Sequence, residues 1–238
     1  MGSYFKTGLV LMAFSIVVGL MLSVVYLVTS DPIASAELDA KLKAIKTVLT
    51  DPQSGKLLIS EDKIPQDMEQ LNQIAWKDSG EADLFHAQKT QSFVSSPAYR
   101  FTLEDGRTAY ILSGGAPGYG GNVVIMASFV QSPSGYGLFQ VETLDYSGET
   151  PGLGANISLE KSRERFAQIP YSGLQAGVRV DRDAGVNPTK DPATRADARK
   201  NGVVIISDIM TGATITPRAV ANTIDTMFAY LQAQLEGE

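Results

Sequence analysis

Cysteine does not occur anywhere in the 238 residues. Disulfides, thiolate nucleophiles, Cys-ligated zinc and iron–sulfur clusters carried by this chain are therefore excluded. Histidine is nearly as scarce, with His86 the sole example, so a multi-histidine metal centre is excluded too. Trp76 is the one tryptophan; it and His86 both read as packing residues. Positive charge is in deficit, with 20 Lys and Arg against 26 Asp and Glu and a net charge of −6. A phosphate backbone is gripped by surplus positive charge, so no nucleic acid partner is expected. Hydroxyls, carboxylates, backbone amides and a bound organic cofactor remain as the means of chemistry. A content of 44% hydrophobic and 19% charged residues is that of a folded chain of one or two domains.

Charge of either sign is missing from one stretch. Between Lys6 and Asp31 there is no charged residue, and Thr7 to Thr29 is a 23-residue uncharged run rich in Leu, Val, Ile, Met and Phe. At about 1.5 Å per residue, such a helix crosses a hydrocarbon layer of roughly 30 Å. Residues 1–30 are accordingly read as a retained transmembrane anchor in contact with lipid. A cleaved signal peptide is the competing reading, because Ala34-Ser35-Ala36 has the small residues of a cleavage site. A signal's apolar core is usually only about 7–15 residues, shorter than this run. Lys6 on one side and Lys41, Lys43 and Lys46 on the other do not fix the orientation. A long C-terminal domain crosses largely regardless of charge. The expectation is a single-pass protein of the cell inner (cytoplasmic) membrane, with its soluble domain on the periplasmic or extracytoplasmic side.

Residues 31–97 form the next segment. Leu38, Leu42, Ile45, Val48 and Leu49 recur at helical spacing, which predicts an amphipathic connector helix ending at the turn residues Asp51 to Gly55. From Lys56 to Ser96 the pattern is weak and reads as irregular. Residues 98–238 carry a β signal. Strands at Ala98–Leu103 and Thr108–Ser113 flank Glu104-Asp105-Gly106-Arg107, whose Asp-Gly marks a hairpin. Further strands are expected at Asn122–Phe129, Leu138–Tyr146, Leu174–Val180 and Gly202–Ser207. A short helix is expected at Leu159–Phe166, a long polar loop at Asp181–Lys200 and a final helix at Pro217–Leu235. Mostly antiparallel strands with flanking helices make an α+β domain.

Three loops could carry chemistry. Gly114 to Gly121 holds five glycines besides Tyr119, and allows close backbone approach to a flat or phosphate-bearing ligand. It lacks the Gly-Lys-Ser/Thr ending of a P-loop, and a strand rather than a helix follows. In Glu149-Thr150-Pro151-Gly152-Leu153-Gly154 the Pro-Gly pair sets a type II turn. That turn would present Glu149, the Thr150 hydroxyl and the Leu153 side chain together. Asp208 to Pro217 leads into the last helix, with Thr216 as N-cap and Pro217 as first helical residue. Gly212 and Ala213 leave Thr214 sterically open beside a helix N-terminus, which favours a phosphate. A threonine hydroxyl is a poor nucleophile unaided, so another protein must activate it if it is to form a phosphoester.

Asp208-x-x-Thr211-Gly212-Ala213-Thr214 resembles the flavinylation motif of the FMN-binding domain. That domain occurs in the RnfG subunit of the Rnf electron transport complex and in the C-type subunit of the Na⁺-translocating NADH:quinone oxidoreductase. Glu149-Thr150-Pro151-Gly152-Leu153-Gly154 upstream and the single anchor strengthen the match, which covers roughly Ala98 to Leu235 plus the anchor. Gly118-Tyr119-Gly120-Gly121 before a strand, and Thr214-Ile215-Thr216-Pro217 before the last helix, look more like the Rnf protein. The resemblance implies covalent FMN on Thr214 through a phosphoester, installed from FAD by an extracytoplasmic, magnesium-dependent flavin transferase. It implies that Asp208 is read by that transferase and that Thr211, Gly212, Ala213 and Thr216 surround the phosphate. Thr150 and Leu153 would contact the isoalloxazine, with Glu149 nearby and Tyr119 flanking it. No catalytic residue and no resident metal are expected. The chain would relay electrons inside a larger complex, its partners the other Rnf subunits, that couples ferredoxin–NAD electron flow to movement of Na⁺ or H⁺. It would not be a complete enzyme alone. The rival from another class is a membrane-anchored FMN-binding sensor or assembly module that passes no electrons.

Overall fold

The apolar run and the helical pattern after it form one element. In the computed structural model, which describes residues 2–237, helix α1 runs unbroken over Gly2–Val48 with Pro32 inside it. The expected break between anchor and connector helix is absent. Residues 33–41 are mostly good helix formers without glycine, so nothing but Pro32 opposes continuation. Just before it, the Thr29 and Ser30 hydroxyls turn back onto the Val25 and Leu27 carbonyls. Tyr4–Val48 is long and apolar enough to cross a membrane, and its most apolar window is wholly unburied. One structural unit ends at Lys41 and a second begins at Leu42.

In the second unit, Ala44, Ile45, Val48 and Leu49 at the end of α1 are buried, and Ser128 Oγ donates to the Val48 carbonyl at 2.6 Å. The core is a twisted antiparallel sheet in the order β1-β3-β4-β5-β6, with β2 also paired to β3. Its strands are β1 (Ala75–Lys77), β2 (Asp83–Ala87), β3 (Ser92–Thr102), β4 (Thr108–Pro117), β5 (Asn122–Ser132) and β6 (Gly135–Asp145). Between α1 and β1 lie a 3-10 turn and the short α2 (Met68–Gln73). α3 (Glu160–Phe166), α4 (Tyr171–Gln175) and the long α7 (Ile215–Glu236) follow the sheet in the chain. Val220, Ile224, Met227 and Leu231 of α7 share the buried cluster with Leu112, Ile125, Ala127 and Phe129.

Several expectations are corrected. The sheet begins well before Ala98, so the division at 97/98 falls inside β3; β1 and β2 are short, half-exposed edge strands that show no clean alternation. Strand β4 extends through Gly114 and Gly115, leaving only Gly118 to Gly121 as the loop. A Cβ at Gly114 would collide with the Phe93 carbonyl of β3, so that glycine serves strand approach. Leu174–Val180 is not a strand: α4 occupies its start, and only β7 (Arg179–Val180) is extended. β7 pairs in parallel with β8 (Val203–Val204). The polar loop at Asp181–Lys200 contains α5 (Asp181–Ala184) and α6 (Pro192–Lys200), the latter capped by Asp191 accepting from the Thr194 amide at 2.9 Å. Trp76 does pack, its ring 4.4 Å from that of Tyr110. His86 is exposed on β2, 2.8 Å from Asp83 Oδ2.

Asp225 ties α7 to the segment before β7, its Oδ1 accepting from the Val178 amide at 2.7 Å. Burial pushes its carboxyl up to about 6, against the opposing pull of that amide and of Arg179. A carboxyl with a raised folded-state pKa favours the folded protein in its neutral form. Its contribution therefore falls as pH rises from about 4 to about 6. Asp225→Asn keeps the acceptor and removes the charge. It is expected to raise stability by about 3 kcal/mol at pH 7.5, with little gain at pH 4. Thermal melting at the two pH values checks this; equal gains at both would contradict it.

Candidate functional site

The parallel β7–β8 pair brings together the two segments that follow its strands. Parallel strands leave a sheet at the same end, so α5 after β7 meets residues 205–214 after β8. The contacts are specific. Fully buried Asp181 accepts from both the amide and the hydroxyl of Ser207. Asp183 forms a two-point pair with Arg218 of α7, Nε to Oδ2 at 2.7 Å and Nη2 to Oδ1 at 2.5 Å. That pair holds the Asp183 carboxyl below its usual range and raises Arg218. Between the two acids, Arg182 Nη1 donates to Thr214 Oγ1 at 3.0 Å.

Residues 206–214 turn tightly, because the Ile206 carbonyl accepts from both the Ile209 and Met210 amides and Gly212 takes φ +85°. Thr214 is the N-cap of α7, but its side chain caps nothing. Thr216, the expected cap, lies instead in the first turn, 1% exposed, with its hydroxyl donated to Glu149 Oε2. The helix begins two residues earlier than its Pro217 suggests.

Glu149 fastens the loops together. It is 5% exposed, and Oε1 accepts from the Tyr119 amide at 2.7 Å while Oε2 takes the Thr216 hydroxyl. One carboxylate thus joins the Gly118 to Gly121 loop, its own turn and the start of α7. A Cβ on Gly118 would strike Oε1, and one on Gly154 would strike Oε2 and Thr216 Oγ1. The turn has the expected geometry: Gly152 has φ +75°, and the Leu153 amide returns to the Thr150 carbonyl at 3.1 Å.

These loops surround a cleft of about 520 Å³, lined by Tyr119, Glu149, Thr150, Leu153, Gly154 and residues 212–216. That volume is typical of small-molecule sites. Tyr119 is 72% and Leu153 46% exposed, and Ile215 is also exposed, so large apolar surfaces flank a hydroxyl at a helix N-terminus. Tyr119, Glu149, Thr150, Leu153, Gly212, Ala213, Thr214 and Thr216 are brought together here. Thr211 and Asp208 are not part of the lining. The Thr211 hydroxyl bonds the Ser207 carbonyl at 3.3 Å. The Asp208 side chain is 9% exposed and ion-paired at 2.8 Å with Arg165, whose other arm holds the Ile205 carbonyl. Sequence reasoning missed Arg182, Ile215 and Arg165. Among the described residues, no His, Asp or Glu cluster could hold a metal ion.

A flat, phosphate-bearing cofactor such as FMN fits this set of residues. Exposed Leu153 and Tyr119 offer apolar faces, Thr150 a polar edge, and Thr214 with the α7 N-terminus and Arg182 a phosphate end.

The comparisons with known proteins converge on the same regions. Residues 118–228 match the FMN-binding domain family, and residues 2–48 match the family of RnfG N-terminal regions. The chain is 33% identical over 135 residues to the G-type subunit of the ion-translocating oxidoreductase complex of Shewanella piezotolerans. That match covers 56% of this chain and spans about half, 54%, of the curated relative. A crystal structure described as an RnfG subunit of an electron transport complex, from Thermotoga maritima, superposes with a TM-score of 0.62 at 36% identity. It covers 82% of this chain and 97% of the other.

Proposed function

Because the chain belongs to the RnfG family, we propose that it is the FMN-carrying subunit of an Rnf-type, ion-translocating electron-transport complex. The observation that carries this reading is the cleft in which the Thr214 hydroxyl opens beside the exposed faces of Leu153 and Tyr119. FMN, when bound, supplies the capacity to accept and release electrons. This chain tethers and orients it. Thr214 holds the phosphate through a phosphoester, Thr150, Leu153 and Tyr119 hold the ring, and Glu149 keeps the loops in register. The flavin transferase delivers FMN from FAD, and Asp208 serves by anchoring the loop through Arg165 rather than as an exposed recognition residue. The match of residues 2–48 to RnfG N-terminal regions favours Rnf over the quinone-reductase relative.

The apolar length of Tyr4–Val48 supports reading α1 as a single membrane span, and on this reading the FMN-binding domain is assigned to the extracytoplasmic side of the cytoplasmic membrane. A reporter active only in the cytoplasm, fused after the last residue, should stay silent; activity would reverse the orientation. The other Rnf subunits are the partners, and purification from membranes without any of them would favour the sensor reading instead.

Tether and ring platform are separable. Thr150→Val and Leu153→Ala are expected to leave attachment intact while moving the flavin potential by some tens of millivolts, since about 59 mV is a tenfold change for a one-electron couple. Spectroelectrochemistry of the loaded protein measures this. If both variants matched the wild type in potential and in reduction rate within the complex, the Pro151-Gly152 turn would be a structural element only.

A further inference from the structure

We propose that Arg182 is the phosphate-binding residue of this site, aligning the Thr214 hydroxyl before flavin transfer and pairing with the phosphodiester afterwards. The inference rests on the reading of Thr214 as the attachment residue. Its basis is the 3.0 Å contact from Arg182 Nη1 to Thr214 Oγ1 and the way α5 presents that side chain. In Asp181-Arg182-Asp183 both acids are committed elsewhere. Asp181 is bound to Ser207, ahead of the flavin loop, and Asp183 to Arg218, on α7. The two anchors fix the segment on either side of Arg182 and leave its guanidinium toward Thr214. Among the described residues, Arg182 forms no ion pair with a carboxylate. Its cation is therefore available to an anion arriving at Thr214.

The helix end alone is a poor phosphate site. The first amides of a helix are free to bind an anion, but Pro217 in the third helical position contributes no N–H. The Ile215 and Thr216 amides remain, and a guanidinium supplies the further charge-assisted donors that a phosphate takes well. In the transfer step, the bond from Thr214 Oγ to the FMN phosphorus forms and the pyrophosphate bond of FAD breaks. AMP leaves with the bridging oxygen, and the hydroxyl proton passes to a base on the transferase. Arg182 offsets the negative charge that gathers on the phosphoryl oxygens. It then stays paired with the single negative charge of the diester.

The test uses the full-length protein in detergent with flavin transferase, FAD and Mg²⁺. Wild type, Arg182→Gln and Arg182→Lys are compared for initial rate of covalent flavin incorporation. Each is then loaded to completion for phosphorus NMR. A lost charge-assisted contact predicts a rate roughly 10- to 100-fold lower in Arg182→Gln, partly restored in Arg182→Lys, and a displaced phosphodiester resonance in the glutamine variant. Unloaded variants should melt with the wild type, since the side chain is exposed. Attachment at the wild-type rate would overturn the proposal. Slow attachment with an unmoved resonance would overturn it as well, assigning Arg182 to transferase docking. If the wild type itself gains no flavin, the reading of Thr214 fails instead.

Discussion

Thr214→Ala is expected to give a folded protein with no covalent flavin. The loss should be complete, because the other hydroxyls of the motif are placed for other work. Thr216 is buried against Glu149. Thr211 is bonded to the Ser207 carbonyl outside the cleft. Thr214 is half-buried and its hydroxyl makes one contact, to the exposed Arg182 side chain. Removing it should therefore change stability by about 1 kcal/mol at most. Thr214→Ser keeps the nucleophilic oxygen and should still be loaded. Flavin fluorescence of the denatured protein in a gel, read beside its melting curve, separates attachment from folding. A fluorescent band persisting in the alanine variant would move the phosphoester elsewhere.

Gly154→Ala should badly damage the site, and Gly152→Ala, two residues away, should be much milder. At Gly152 there is open space around the missing Cβ and only the positive φ opposes a side chain, a cost of about 1–2 kcal/mol. At Gly154 the backbone is permissive, but the added Cβ would occupy the place of Glu149 Oε2 and crowd Thr216 Oγ1. The carboxylate would be pushed from its partners while still buried, and an unsatisfied buried charge costs on the order of 3 kcal/mol or more. Because Glu149 joins three loops, the ring platform should be lost with it. Melting curves of the unloaded variants and flavin spectra of the loaded ones check the contrast. Equal destabilisation by the two substitutions would mean that Glu149 does not fasten the site as described.

How far the sequence could be read depended on the range of the interactions. The position of Thr214 just before the last helix and the Pro151-Gly152 turn were legible because their signals are local: small residues ahead of a helix start, and a dipeptide with fixed backbone preferences. The β3–β4 hairpin was legible from its Asp105-Gly106 turn, and β5 and β6 from their apolar and β-branched runs. β1 and β2 were not, since short edge strands with one half-exposed face carry little pattern. α6 was missed although Asp191-Pro192 is an N-cap followed by Pro in the first turn; its polar composition hid the signal. Arg182 had no local signal at all. It lies 32 residues before Thr214, and only the parallel pairing of β7 with β8, two residues each, brings the two together. The burial of Glu149 and Asp208 was equally invisible, because an acidic residue in a loop reads as exposed until its partners, Tyr119, Thr216 and Arg165, are placed around it.

The most direct test of the central claim is the intact mass of the full chain expressed in membranes with a flavin transferase and FAD, followed by mapping of the modified peptide. The expected result is a gain equal to FMN less water, located on the peptide that carries Thr214. An unmodified mass under those conditions, or a flavin mapped to any other residue, would contradict it.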